Sequence, residues 1–322
     1  MSFTHSVLVT GGTVNLGYHA ALNIARQHPD YLVVLVSRTD LDQAAQKINQ
    51  TLKQDNVAFL SADLSSTNNV RNLVGNWTNA KFPPIKALVL NAGLQFPGGV
   101  QKTDEGIEKT FAINHVGHAL LFHLLWPHLA PDARVVVTAS GTHDPAQKSG
   151  LPDAIYNSAE ELAHPTPETE KYAGRQRYAT SKLVNVLWTY ALHRRLQQYA
   201  PEKHITVTAF DPGLMPGTGL VRDASFLVRF IFTKILPHLI PLLRRVAIEN
   251  THTPQESGEA LARLAIGDDV KGVSGKYFEG KKEISSSKDS YVVEKQDDLW
   301  QWTVEYLAKG NKDEATRFAE LR

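Results

Sequence analysis

Thr10-Gly11-Gly12-Thr13-Val14-Asn15-Leu16-Gly17 follows directly on the apolar run Ser6-Val7-Leu8-Val9, and a helical pattern opens behind it. A strand, a glycine-rich turn and a helix in that order aim backbone N–H groups and the positive end of a helix dipole at one spot, which suits a pyrophosphate. Such a turn also occurs as a plain tight turn, so its meaning depends on the chain around it.

Further along, short β-branched runs at residues 32–37, 57–61, 87–90, 134–139 and 205–210 alternate with amphipathic stretches, repeating the pattern set by residues 7–10. That rhythm predicts βαβ units. The runs are apolar throughout, which predicts strands buried on both faces, and right-handed crossovers then give an α/β fold: a doubly wound parallel sheet with helices on both faces. With no internal repeat, residues 1–322 read as one domain. Two stretches break the rhythm. Residues 144–177 are polar and rich in Pro and Glu, which predicts an inserted surface segment with short helical pieces. Residues 213–256 are apolar and basic.

Composition narrows the function. Of 322 residues, 42% are apolar, and 34 Lys and Arg nearly balance 33 Asp and Glu, so the chain lacks the charge footprint of a nucleic-acid binder. Small neutral partners fit better. Cysteine is absent, which excludes disulfides, thiolate catalysis and Cys-ligated metals. The amino terminus shows no signal-peptide pattern, giving a cytoplasmic expectation. The apolar stretch near residues 224–247 is interrupted by Arg229, Lys234, Arg244 and Arg245 and is too short between them to span a bilayer. A substrate lid, an interfacial membrane helix and a homo-oligomer contact all fit it, and its place after the Pro212-Gly213 loop favours the lid.

The turn resembles the Thr-Gly-x-x-x-Gly-x-Gly of the short-chain dehydrogenase/reductase family, whose fold is of the Rossmann type. Gly11 and Gly17 match, Asn15 stands where the middle glycine belongs, and Val14 stands where the extended branch of the family has glycine. Asparagine is the non-glycine residue most tolerant of left-handed backbone angles, so the non-extended branch fits better. The resemblance implies NADP(H) as cofactor, with Gly11, Thr13, Asn15, Leu16 and Gly17 at the pyrophosphate. Asp63-Leu64 and Asn91-Ala92-Gly93 follow the third and fourth strands at the family's cofactor-binding positions. Ser37 and Arg38 close the second strand. An acidic residue there would accept from a free ribose hydroxyl, whereas a hydroxyl and a guanidinium suit a 2′-phosphate. Asp40 and Asp42 lie too far along to be that acid.

Tyr-x-x-x-Lys occurs four times, at Tyr178/Lys182, Tyr199/Lys203, Tyr277/Lys281 and Tyr291/Lys295, and only the first pair lies on the helix expected between the fifth and sixth strands. With Ser140 and Asn114 it completes the family's tetrad. The resemblance then implies that Tyr178 donates a proton, Lys182 lowers the tyrosine's pKa and binds ribose, Ser140 polarises the carbonyl, and Asn114 holds a relay water. Pro212, Gly213, Leu214 and Thr218 would touch the nicotinamide side. The stretch after Tyr178 is similar to protochlorophyllide reductase-like members, and the long interval before it also to retinol dehydrogenase-like ones, but protochlorophyllide reductases carry a cysteine where this chain has Leu214. Shared ancestry and a large apolar pocket follow from that, not a shared substrate.

These readings converge on NADPH-dependent hydride transfer to a carbonyl or conjugated double bond of a fairly large apolar molecule. The alternatives are an NAD(P)-dependent alcohol dehydrogenase and a non-catalytic NADP-binding sensor. His115, His118, His123 and His128 scatter around a helix at about 100° per residue rather than converging on a metal. His143, three residues past Ser140, reads either as lining the substrate cleft or as structural.

Overall fold

A computed structural model describes residues 3–218, 230–246 and 249–322. Residues 219–229, 247 and 248 of the expected lid region 213–256 lie outside the described residues. The six expected strands form at β1 (His5–Thr10), β2 (Tyr31–Ser37), β3 (Val57–Ser61), β4 (Ile85–Leu90), β5 (Leu129–Thr138) and β6 (Thr206–Asp211). Two more follow, β7 (Lys276–Glu279) and β8 (Lys282–Ile284), in the order β3-β2-β1-β4-β5-β6-β7-β8. All pairings are parallel except β7 with β8.

The last hairpin escapes a hydrophobicity reading because its strands are only four and three residues long and each begins with a lysine. On the edge strand β8, the charged Lys282 and Glu283 disfavour pairing with another chain.

Within the sheet, alternate residues face opposite layers. Leu8, Val34, Leu88 and Val135 pack with Trp77, Phe122 and Trp188 on one side. Val7, Val9, Val33, Leu35, Ala87 and Val89 pack on the other, against α1 (Asn15–Gln27) and the Pro254–Ile266 helix. Every one of these strand side chains is buried, so each valine and leucine among them contributes roughly 1.5–3 kcal/mol by leaving water. This accounts for strands without a polar face.

The remaining long helices are α2 (Ala44–Leu52), α3 (Thr67–Ala80), α4 (Gly117–Leu125), α5 (Gly174–Tyr199), α6 (Pro254–Ile266), α7 (Val293–Ala308) and α8 (Lys312–Ala319). A π-helical turn, Ala112–Val116, leads into α4. Between β5 and α5 run short helical pieces such as Pro145–Gln147 and Ala159–Ala163. This stretch is not all surface, since Tyr156, Ala159 and Ala163 are buried. The Tyr156 hydroxyl donates to Asp298 at 2.6 Å. No described helix is long and apolar enough to cross a membrane.

Candidate active site

The neighbours of β1 are β2 and β4, so the chain leaves β1 at the point where the sheet's winding reverses, and a crevice opens at the strands' carboxyl ends. Gly11 turns there with φ +65°, and a Cβ on it would sit 3.1 Å from the Cα of Ala92. A Cβ on Gly17 would overlap the Gly11 carbonyl oxygen, so only glycine lets α1 press its first turn against the loop. Asn15 has φ +47°, the left-handed geometry that the family's glycine would supply.

At the adenosine end, Thr13 Oγ1 donates to Ser37 Oγ at 3.1 Å and joins the turn to the tip of β2. Arg38 is exposed on the cleft wall and makes no ion pair among the described residues. Asp40 also borders the cleft, and its two carboxylate oxygens are engaged, accepting from the Ala44 and Ala45 amides at 2.7 and 3.4 Å at the start of α2. Asp63 Oδ1 accepts from the Ser65 amide at 2.9 Å, and Leu64 lies beside it on the wall.

Partly buried hydrogen bonds fasten the strand ends. Thr10 Oγ1 accepts from the Asn91 and Ala92 amides at 2.8 and 3.0 Å, and Asn91 Nδ2 donates to the Thr10 carbonyl at 2.9 Å. Thr138 Oγ1 reaches Asn91 Oδ1 at 3.3 Å. Three strands are thereby held in one plane beneath the cleft.

Tyr178 and Lys182 sit one turn apart on α5. The Lys182 ammonium, 3% exposed, donates to the Thr138 carbonyl at 3.0 Å and lies 5.6 Å from the Tyr178 ring centre. Burial lowers Lys182 to about 8, with Asp211 opposing that fall. Burial, and then Asp211, push the Tyr178 phenol above its ordinary value. Both causes act upward, desolvation because it disfavours the phenolate and Asp211 because it is a like charge.

Ser140 follows β5 and accepts from the Thr142 amide at 3.3 Å. Asn114, held in the π-helical turn, is fully braced: Oδ1 accepts from the Leu94 amide at 2.8 Å, and Nδ2 donates to the Leu94 carbonyl at 3.0 Å and Ser181 Oγ at 2.9 Å. It lies behind the wall rather than in it. Of the two readings of His143, the structure supports the structural one. His143 is 1% exposed, with Nδ1 2.7 Å from the Ser140 carbonyl and Nε2 accepting from the Ser287 amide at 3.1 Å.

The other histidines are structural contacts. His115 pairs with Thr303, His118 with Thr10, and His123 stacks on Phe318.

Sequence reading missed Asp211. This carboxylate, 2% exposed, ends β6 and faces the cleft. Its oxygens accept from the Gly213 amide and Asn250 Nδ2, both at 2.9 Å. A charged residue closing an apolar strand at a sheet's carboxyl end was the available signal.

Beyond it, Leu214 bonds to Asn250 and His252 through their backbones, at 2.8 and 2.9 Å, and Thr218 Oγ1 donates to the Met215 carbonyl at 2.9 Å. The segment that returns over this loop contributes Phe232. Together these walls enclose a cleft of about 820 Å³ that runs from Arg38 past Gly11, Gly93 and Tyr178 to Leu214 and Phe232. Apart from Asn114, every residue expected at the cofactor or in the tetrad lines it.

A model of the short chain dehydrogenase family matches residues 5–152. Human polyprenol dehydrogenase is 30% identical over 299 residues, covering 91% of this chain and 82% of that one. Mouse retinol dehydrogenase 14 is 29% identical over 310 residues (92% and 83%), and rice protochlorophyllide reductase A is 28% identical over 316 residues (91% and 78%). With relatives that span nearly all of its length and a cleft at the switch point of a parallel sheet, this chain belongs to the short-chain dehydrogenase/reductase family of nicotinamide-dependent oxidoreductases, in its non-extended branch.

Proposed function

We propose that the chain is an NADPH-dependent reductase of a carbonyl, or of a conjugated double bond, on a fairly large apolar molecule, with residues 213–256 as the lid over that substrate. One observation carries the cofactor choice. At the tip of β2 the exposed Arg38 guanidinium lines the cleft, while the carboxylate oxygens of the neighbouring Asp40 are already taken by the Ala44 and Ala45 amides.

The cradle fits a dinucleotide. Side chains on Gly11 or Gly17 would fill the space next to the start of α1, where backbone N–H groups suit a pyrophosphate. Ser37 and Arg38 then receive the 2′-phosphate. When bound, the nicotinamide supplies the hydride.

The chain's own residues handle the proton. Tyr178, kept protonated by burial, gives its phenolic proton to the substrate oxygen, so that hydride and proton together convert C=O to CH–OH. Ser140 donates a hydrogen bond to the same oxygen. Lys182, anchored on the Thr138 carbonyl, stabilises the phenolate that remains and binds the nicotinamide ribose. Asn114 holds the relay water. A Cβ on Gly93 would sit 3.3 Å from Lys182 Nζ and 3.5 Å from Asn114 Oδ1, so the missing side chain leaves an atom-sized gap between the two. Pro212, Gly213, Leu214 and Thr218 border the substrate end.

The experiment is kcat/KM for NADPH and NADH with a series of apolar ketones, aldehydes and enones. A preference for NADPH, with efficiency rising with apolar length, is expected. Equal use of both cofactors, or better turnover of small polar carbonyls, would overturn the reading. Two relatives are named as dehydrogenases of polyprenol and retinol, and the same residues in reverse would oxidise an alcohol with Tyr178 as the base. Rates in both directions decide between the two.

A further inference from the structure

We infer that the outward face of residues 230–246 docks on an anionic lipid bilayer. The segment is a helical rope of changing pitch: a π-helical stretch Ile231–Ile235, a 3-10 stretch Leu236–Leu239 and an α-helical turn Ile240–Val246. It has two apolar sides. Phe232 and Ile240 point inward and are buried, whereas Ile231, Ile235, Leu239 and Leu242 are 37%, 42%, 40% and 55% exposed. Among the described residues, five of the ten exposed large apolar side chains fall between 230 and 242. Such clustering marks a contact surface rather than scattered exposure.

Charge identifies the occupant. Lys234, His238 and Arg245 are exposed among those apolar side chains, and the sequence has no Asp or Glu between Asp223 and Glu249. Arg244 is neutralised by Glu256, but Lys234 and Arg245 make no ion pair among the described residues. A second copy packed by a two-fold axis would bring these cations against themselves. A bilayer with anionic headgroups meets them with phosphates while the isoleucines and leucines enter the acyl boundary.

The position gives the docking a use. Phe232, on the inner side, lines the cleft, and its carbonyl accepts from the Gly217 amide at 3.0 Å. One side of the rope is cleft wall and the other is membrane face, so an apolar substrate dissolved in lipid passes under it without crossing water. That delivery rests on the proposed function; the docking does not.

The test is flotation of the full chain with vesicles of phosphatidylcholine alone and of phosphatidylcholine mixed with phosphatidylglycerol, with no substrate present. Binding to the anionic vesicles that weakens with salt is expected. The double variant Ile235→Glu, Leu239→Glu should lose at least about tenfold in binding, whereas Val293→Glu, at an exposed apolar site on α7, should bind as the parent does. NADPH affinity and circular dichroism report that all variants are folded. The inference is overturned if the parent binds neither vesicle, if the double variant binds as the parent does, or if its only effect is to split a dimer in size-exclusion chromatography.

Discussion

The two ends of the cleft are built in opposite ways. At the cofactor end, backbone turns at strand tips are clamped by hydrogen bonds, as where Thr10 takes the Asn91 and Ala92 amides. At the substrate end, the wall includes a rope of mixed helical pitch that meets the loop after β6 where the Phe232 carbonyl accepts from the Gly217 amide, with much of its apolar surface outside. A cofactor shared across many reactions needs a fixed cradle, whereas a substrate-specific wall needs shape and access.

Substitutions should therefore separate the two ends. The largest effect is expected at their junction. Tyr178→Phe removes the proton donor and should lower kcat by at least about a hundredfold with NADPH affinity retained. A loss below tenfold, with chemistry rate-limiting, would remove Tyr178 from that role. Next comes the cofactor end alone. Arg38→Ala should cut kcat/KM for NADPH roughly 10- to 150-fold, the worth of one charge-assisted hydrogen bond of about 1.5–3 kcal/mol, and leave NADH nearly unchanged. If both cofactors suffer equally, the contrast between the ends is not electrostatic.

A smaller effect concerns pH. Lys182 is held at about 8, so kcat/KM should decline as pH rises through that value and the ammonium is lost. Asp211 raises the pKa of both Lys182 and Tyr178. Asp211→Asn should accordingly move this alkaline limb to lower pH, and a limb that stays in place or moves up would contradict the electrostatic role. The mildest change is expected at the substrate end. Phe232→Ala removes one aromatic contact from the wall, so substrate KM should rise by less than about tenfold while NADPH affinity holds. An equal change in both would mean that the rope supports the cofactor cradle as well.

The same division governs what the sequence made legible. Gly11 and Gly17 could be read because backbone geometry permits little else there, and Asn15 because a positive φ restricts the choice to a few residues. Strands β1 to β6 were legible through two-sided burial. Hairpin β7–β8 was not, since a short, charged edge carries no hydrophobic period. Asp211 has no spacing motif of its own and acquires meaning only when β6 is placed next to β5. The faces of residues 230–246 were equally hidden, because a π-helical and a 3-10 stretch shift the angular register that a uniform helical wheel assumes.

The histidines of α4 and the turn before it set an acid limit on the whole molecule. His115, His118 and His123 are buried and neutral, held down to about 3, 4 and 3 chiefly by desolvation. Unfolded histidine titrates near 6.5, so the unfolded chain gains protons that the folded one refuses, and stability present above 6.5 is lost as pH falls toward the folded values. Each histidine withdraws about 1.4 kcal/mol for every pH unit below 6.5, against a total stability of about 5–15 kcal/mol. Because these residues tie Asn114's helical stretch to Thr10 and Thr303, the expected result is a cooperative acid collapse in which the catalytic floor and the C-terminal helices separate together. A falling rate in mildly acidic buffer would then record a shrinking folded population, and circular dichroism at each pH distinguishes that from titration of a catalytic group.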